Sequence, residues 1–258
     1  MLDKTGRYEF MAEPFHCDFS KRLFMGHLGN HMLNAADFHA DHRGFGMTQL
    51  NPEHKTWVLS RLAIEMETMP REYARFNVET WIESVMKYFT NRNFRVADAA
   101  DNGKTYGYGR SIWALIDTRT RLPQNILDVN GGEIAKYIDT GKECPIDGLS
   151  RVKMGSSARL AATIDTHYSD VDVNGHINSV KYIEHVLNLF GIDWYKEHGI
   201  RRFDIAYVAE SHYGDKLNFY MEDVAEGEFC VRITKKQTEG EAETEVCRSK
   251  VTFAQRQE

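Results

Sequence analysis

The sequence predicts an α+β protein in which one layout, a helix followed by an antiparallel sheet, is used twice. Two observations carry the prediction. The first is the order of elements. A strand, an amphipathic helical stripe and four further strand-like segments occupy the first half, and the same succession returns from about Leu160 to Ala254. The second is a faint repeat at a fixed offset of 143 residues: Leu62-Ala63 with Glu67-Thr68 matches Ile205-Ala206 with Glu210-Ser211, and Phe76 matches Phe219. Arg110-Ser111 also finds an echo in Arg248-Ser249. A helix with a single apolar stripe must bury that stripe, and an antiparallel sheet wide enough to wrap it satisfies both elements. Doubled in one chain, the layout becomes a pseudo-dimer.

The elements follow in order. A short strand is expected around Tyr8 to Phe15, with Asp18 and Ser20 placed to cap a helix. Phe24, Leu28, Met32 and Ala35 supply its stripe up to about His39, and the turn His42-Arg43-Gly44-Phe45-Gly46 follows. Trp57, Leu59, Leu62 and Ile64 alternate with polar residues in the next strand. Segments 76–83, 91–99 and 106–117 are rich in β-branched and aromatic residues, and Asp101-Asn102-Gly103 reads as a hairpin turn between the last two. Prolines at 123 and 145 and glycines at 131, 132, 141 and 148 mark a connector with one short helix. After it come a strand near 160–168, a helix from Ile177, and strands near 203–210, 216–223, 229–237 and 243–254. The resulting division is a first repeat over 1–121, a connector over 122–157 and a second repeat over 158–258.

Composition narrows the function classes. The chain has 258 residues, 42% hydrophobic and 27% charged, with a formal net charge of −6. An ordinary globular core is affordable, and the acidic balance argues against nucleic-acid binding. The first ten residues contain no apolar h-region, and no stretch approaches the ~18 apolar residues of a membrane span. Cys17, Cys144, Cys230 and Cys247 are scattered without a C-x-x-C pair, so they read as reduced thiols and not as a disulfide framework or zinc site. A cytoplasmic protein is expected, with no membrane or nucleic-acid partner.

Chemistry concentrates at Asp170 to Tyr182. Asp172, Asn174 and His176 fall at i, i+2 and i+4, a spacing that shares one face of an extended segment. Immediately afterwards Ile177, Val180, Ile183, Leu187 and Phe190 set a helical period, which Gly191 is placed to end. An acid, an amide and an imidazole thus converge at a helix mouth, where unpaired N–H groups favour developing negative charge. The same residues have a plainer use. Asn174 and Asn178 are both good N-caps, and Asp172 complements a helix dipole.

The stretch Asp172, Asn174, His176, Asn178, Lys181, Tyr182, Ile183 resembles the D-x-N-x-H-x-N-x-x-K-Y-I motif of the acyl-acyl carrier protein thioesterases of plant plastids and their bacterial relatives. It is also similar to the D-x-D-x-x-G-H-x-N of hotdog-fold thioesterases. Gly44-Phe45-Gly46, Trp57-Val58, Arg61-Leu62, Trp81-Ile82, Ser111-Ile112-Trp113-Ala114 and Thr118-Arg119-Thr120-Arg121 resemble the family in order and spacing. The likeness spans nearly the whole chain, and the lack of a transit peptide suggests a bacterial member. It implies a tandem (double) hotdog, two long helices each wrapped by an antiparallel β-sheet, and an enzyme of fatty acid biosynthesis that hydrolyses fatty acyl-acyl carrier protein. The family's acid and cysteine after the motif correspond here to Glu210 and Ser211, which argues against a thiol nucleophile.

The expected catalytic group is therefore Asp172, Asn174, His176 and Glu210. One carboxylate orients or deprotonates water, Asn174 donates to the carbonyl or holds the water, and His176 donates a hydrogen bond or shuttles a proton. N–H groups near Gly175 and His176 would complete an oxyanion site, and direct carboxylate attack through an anhydride stays open. Gly29-Asn30-His31 preserves only fragments of the motif, so one active site is expected. Phe24, Leu28, Met32 and Trp57 are candidates for the acyl tunnel, with Ser211 also against substrate. Each is equally explained as core. The partner implied is acyl carrier protein with its phosphopantetheine-linked chain, which is acidic, so Arg201-Arg202, Lys235-Lys236 and Lys153 are docking candidates. Exposed sheet edges still allow two chains to pair. His27 and His31 have the i, i+4 spacing of metal ligands but no third partner, and no phosphate loop is present, so no metal or cofactor is implied. An acyl-CoA thioesterase and a non-catalytic acyl-binding sensor are the competing readings.

Overall fold

The computed structural model describes residues 2–101, 103–149, 151–236 and 242–256. Asn102 of the expected hairpin turn and Gln237 at an expected strand end lie outside them. The chain divides into two units, Met1–Leu149 and Ser150–Glu258.

The first unit runs β1 (Gly6–Met11), α1 (Met25–Asp41), α2 (Met47–Leu50), β2 (Lys55–Met66), β3 (Arg75–Val85), β4 (Phe89–Asp98) and β5 (Thr105–Asp117). Its sheet has the order β1-β3-β4-β5-β2, every neighbour antiparallel. Leu28, Met32 and Ala35 of α1 are wholly buried, as their period requires. Strand β3 is buried from Phe76 to Ile82 because both its faces are covered there. Phe76 meets His31 of α1 on one side. Trp81, of opposite parity, packs with Cys144 and Ile146 on the other.

That second cover comes from the stretch expected as connector, where Arg110 donates to the carbonyls of Cys144 (2.6 Å) and Ile146 (3.1 Å). The same stretch also closes the α1 side: residues Ile126–Tyr137 form 3₁₀ turns broken at Val129–Gly132, and Ile126, Val129, Ile134 and Tyr137 join Ala40 of α1, Ile82 of β3, Phe45, Leu50 and Leu115 in one apolar cluster. Within the sheet, a Cβ at Gly107 would stand 2.3 Å from the Glu65 carbonyl oxygen. We expect Gly107→Ala to cost about 1–3 kcal/mol, the usual cost of overpacking, read as a lowered denaturation midpoint with an unchanged slope.

The second unit runs β6 (Arg159–Asp165), α3 (Ser179–Leu187), α4 (Ile192–Glu197), β7 (His198–Tyr207), β8 (Lys216–Ala225), β9 (Glu228–Lys236) and β10 (Thr244–Gln255). Its sheet order β6-β8-β9-β10-β7 repeats the first unit's succession element for element. Val180, Tyr182, Ile183 and Val186 are the buried side of α3. The helix is shorter than the apolar stripe suggested. Asn178 caps it by accepting from Val180 N at 3.1 Å, and the Tyr195 hydroxyl donates to the Leu187 carbonyl at 2.7 Å. Gly191 precedes α4 as its N-cap instead of closing α3. Among the described residues no helix is long and apolar enough to cross a membrane.

One expected cap is corrected. Asp18 and Ser20 do not cap α1, whose N-cap position is Phe24. Asp18 Oδ1 instead accepts from Ser20 N (2.8 Å) and Arg22 N (3.3 Å), closing a turn of its own. Short polar side chains offer the backbone such local partners, and here that option wins over capping.

Candidate active site

Asp172 to His176 is not the extended segment that the alternating spacing suggested. Val171 and Ile177 bridge, and between them the chain reverses in a tight turn. Asp172 N donates to His176 O at 2.8 Å and Gly175 N to Asp172 O at 3.0 Å, with Gly175 at φ +80°. Asp172 Oδ1 accepts from Asn174 N (2.8 Å) and His176 N (3.3 Å). Aspartate beside Asn-Gly is a strong turn signal, because the carboxylate satisfies backbone donors locally and glycine supplies the positive φ. The N–H groups of Gly175 and His176 are thus spent on Asp172, and α3 begins only at Ser179. The oxyanion role expected of those two amides is corrected accordingly.

The turn presents Asn174 to solvent and leaves His176 half-buried. His176 Nε2 stands 3.4 Å from Glu210 Oε2, with both side chains about one-third exposed or less (27% and 33%). The sequence-predicted pair is therefore brought together across 34 residues of chain. Glu210 follows β7 in the bend to β8. The two segments are stitched by Ile177 N donating to Ser211 O at 2.9 Å. Ser211 is wholly buried. Its hydroxyl and that of Tyr182 lie side by side without a hydrogen bond of ordinary geometry.

Three neighbours were not singled out from the sequence. The His212 ring meets His176 edge-on, centroids 5.0 Å apart. Asp170, buried, takes His167 N on Oδ2 at 2.7 Å and sits 3.4 Å from His185 Nε2. Burial holds His185 below the usual imidazole range, against the pull of Asp170. The Asp170–His167 contact is local, three residues apart, whereas the other two join residues brought together by the fold.

The remaining candidates divide. Leu28 and Met32 are wholly buried, and Met32 Cε would lie 2.3 Å from a Cβ at Gly109, so it rests directly on the sheet. Phe24 is 48% exposed. Trp57 packs with the cluster around Phe45 and donates its indole N–H to the Phe45 carbonyl at 2.8 Å. Of the docking cations, Arg202 is paired with Asp204 at 2.7 Å, and Lys235 lies 3.5 Å from Asp215. Burial pushes the Cys17, Cys230 and Cys247 thiols above their ordinary range, which keeps them protonated and poorly nucleophilic.

The first unit contains the same turn. Asp18 N donates to Arg22 O (2.8 Å), Lys21 N to Asp18 O (2.8 Å), and Cys17 bridges Leu23, with Lys21 at φ 61°. The counterpart of Asp172-Asn174-His176 is thus Asp18-Ser20-Arg22, and not Gly29-Asn30-His31, which lies inside α1. Arg22 replaces the imidazole, and its Nη1 donates to Thr68 Oγ1 at 2.6 Å.

Comparison with known proteins places these features. Residues 4–132 match the acyl-ACP thioesterase N-terminal domain family, and residues 156–254 match the C-terminal domain family. A crystal structure of an acyl-ACP thioesterase from Bacteroides thetaiotaomicron is 51% identical with a TM-score of 0.88, over 97% of this chain and 98% of that one. The 12:0-ACP thioesterase from Umbellularia californica shares the fold, at TM-score 0.82 and 22% identity over 99% of each chain. The two units are accordingly hotdog repeats. Among curated proteins, the chloroplastic dodecanoyl-[acyl-carrier-protein] hydrolase of Umbellularia californica is 28% identical over 190 residues, 70% of this chain and 50% of that protein. The chain therefore spans about half the length of that relative.

Proposed function

Because the chain belongs to the acyl-ACP thioesterase family, we propose that it hydrolyses the thioester of a fatty acyl chain on acyl carrier protein, releasing free fatty acid. The observation that carries the reading is the His176–Glu210 approach of 3.4 Å on a turn held by Asp172. A thioester carbonyl is already electrophilic, so the protein has to supply a positioned water, a base and a donor for the oxyanion.

Glu210 is the base in this reading. As the water oxygen bonds to the carbonyl carbon, its proton passes to the Glu210 carboxylate. Asn174, at the exposed tip of the turn, donates its amide N–H to the oxygen that becomes negative. Collapse of the tetrahedral intermediate re-forms C=O and breaks the C–S bond, and the proton held on Glu210 goes to the departing pantetheine sulfur. His176 keeps the carboxylate oriented throughout. Asp172, with one oxygen occupied by two backbone amides, acts by fixing the turn. Leu28 and Met32 retain their assignment to the acyl chain. Residues 158–258 carry the chemistry, and the reaction belongs to the cytoplasm, where the acidic carrier protein is the partner.

The test is steady-state hydrolysis of an acyl-ACP panel from short to long chains, with matching acyl-CoA esters alongside. A higher kcat/KM on the carrier protein is expected. Equal or better rates on acyl-CoA would replace the carrier in this reading, and tight acyl binding without turnover would remove hydrolysis from it.

A further inference from the structure

Behind Glu210 lies a set of polar side chains that the chemistry above does not use. Lys235 of β9 projects inward with 15% of its side chain exposed, and Asp215 is more deeply placed at 4%. The Lys235 ammonium donates to the Glu210 carbonyl oxygen at 2.7 Å and lies 3.5 Å from Asp215 Oδ2. That same Asp215 oxygen accepts from His212 N at 2.9 Å. Thr166, also buried, accepts from Gly214 N at 2.9 Å, and its hydroxyl reaches the carbonyls of His212 and Asp215 at 3.0 Å each.

Three consecutive residues are thereby pinned by their main chain. Glu210 is held at its carbonyl by Lys235, Ser211 at its carbonyl by Ile177, and His212 at its amide by Asp215. With its carbonyl fixed, Glu210 retains mainly side-chain freedom, and its carboxylate is directed to the His176 side. Taking an ammonium out of water is costly unless it is paired and hydrogen-bonded, as Lys235 is here. A solvated docking lysine has no need of either.

We propose that Lys235 is a positioning residue of the hydrolytic site, acting through the Glu210 main chain with Asp215 as its counter-charge. The proposal rests on the assignment of Glu210 as base. It takes Lys235 out of the carrier-docking group to which its pairing with Lys236 in the sequence pointed.

The experiment is a double-mutant cycle. Lys235→Met alone leaves Asp215 buried without its cation, so the working variant is Lys235→Met with Asp215→Asn, which keeps an acceptor for His212 N. With Glu210 intact, kcat on acyl-ACP should fall about a hundredfold, the usual effect of a small misplacement of a reacting group. KM should stay within about twofold, as for an interaction made only in the transition state. In a Glu210→Gln background the same pair should change the residual rate by less than about twofold, because the two positions act as one. Lys235→Arg, which keeps a cationic donor, should recover most of the lost rate. Equal losses in both backgrounds would show a general structural role and overturn the proposal, as would a folded, fully active double variant. A fully active Glu210→Gln protein would instead remove the assignment of Glu210, and the role of Lys235 with it. An inactive Glu210→Gln beside a fully active Lys235 variant overturns the role of Lys235 alone.

Discussion

Glu210→Gln should lower kcat for acyl-ACP by about 10²–10⁴-fold, the range that general base catalysis contributes. The substitution is nearly isosteric and keeps a hydrogen-bonding group opposite His176, but the amide does not accept the proton of an attacking water. Stability should hardly move. The carboxylate is one-third exposed and its contact with His176 spans 3.4 Å, and partly solvated pairs of that kind contribute about 0–1 kcal/mol. The measurement pairs saturating-substrate turnover with calorimetric Tm on the same preparation. Turnover close to wild type in a folded Glu210→Gln protein would exclude Glu210 as base. A large loss of Tm would mean that the carboxylate is structural and that the rate loss says nothing about chemistry.

How much of this was legible in the sequence differs between levels. The order of elements was readable because apolar period changes with secondary structure, and the two units repeat one strand succession in full. The 143-residue offset matches Glu210 with Glu67 in the sequence alone. The shape of the turn was misread. Alternating polar residues suggested an extended segment, whereas Asp172 satisfies its own neighbours' amides and Gly175 takes a positive φ. The Asn-Gly pair carried that signal. The first unit's copy was harder to see. Between Asp18–Arg22 and Asp172–His176 only the aspartate is shared, and the likeness lies in backbone hydrogen bonds that the other side chains do not encode. Lys235 was out of reach for another reason. A Lys-Lys pair on a strand gives no hint of which ammonium turns inward, and only the placement of Asp215 and the Glu210 carbonyl decides it.

The duplicated turn supplies an internal control for Asp172. Asp18 and Asp172 each accept two backbone amides at 2.8 and 3.3 Å, so alanine at either position removes the same backbone support, and at Asp18 also the bond from the Ser20 hydroxyl at 2.6 Å. Hydrogen bonds to charged groups contribute about 1.5–3 kcal/mol net, and these turns are partly exposed, so each variant should lose about 1 kcal/mol. Their activities should separate. Asp172→Ala releases the main chain of His176 and should reduce kcat about a hundredfold, while Asp18→Ala should stay within about twofold, since Arg22 stands where the imidazole would be. Asp172→Asn decides what Asp172 contributes. Asparagine keeps an oxygen that can accept the Asn174 and His176 amides, so a turn-holding aspartate predicts that most of the rate returns. If the asparagine variant is as inactive as the alanine variant while its Tm recovers, the charge of Asp172 itself enters the reaction. The division of labour would then reverse, with Asp172 acting on the water and Glu210 holding His176 in place.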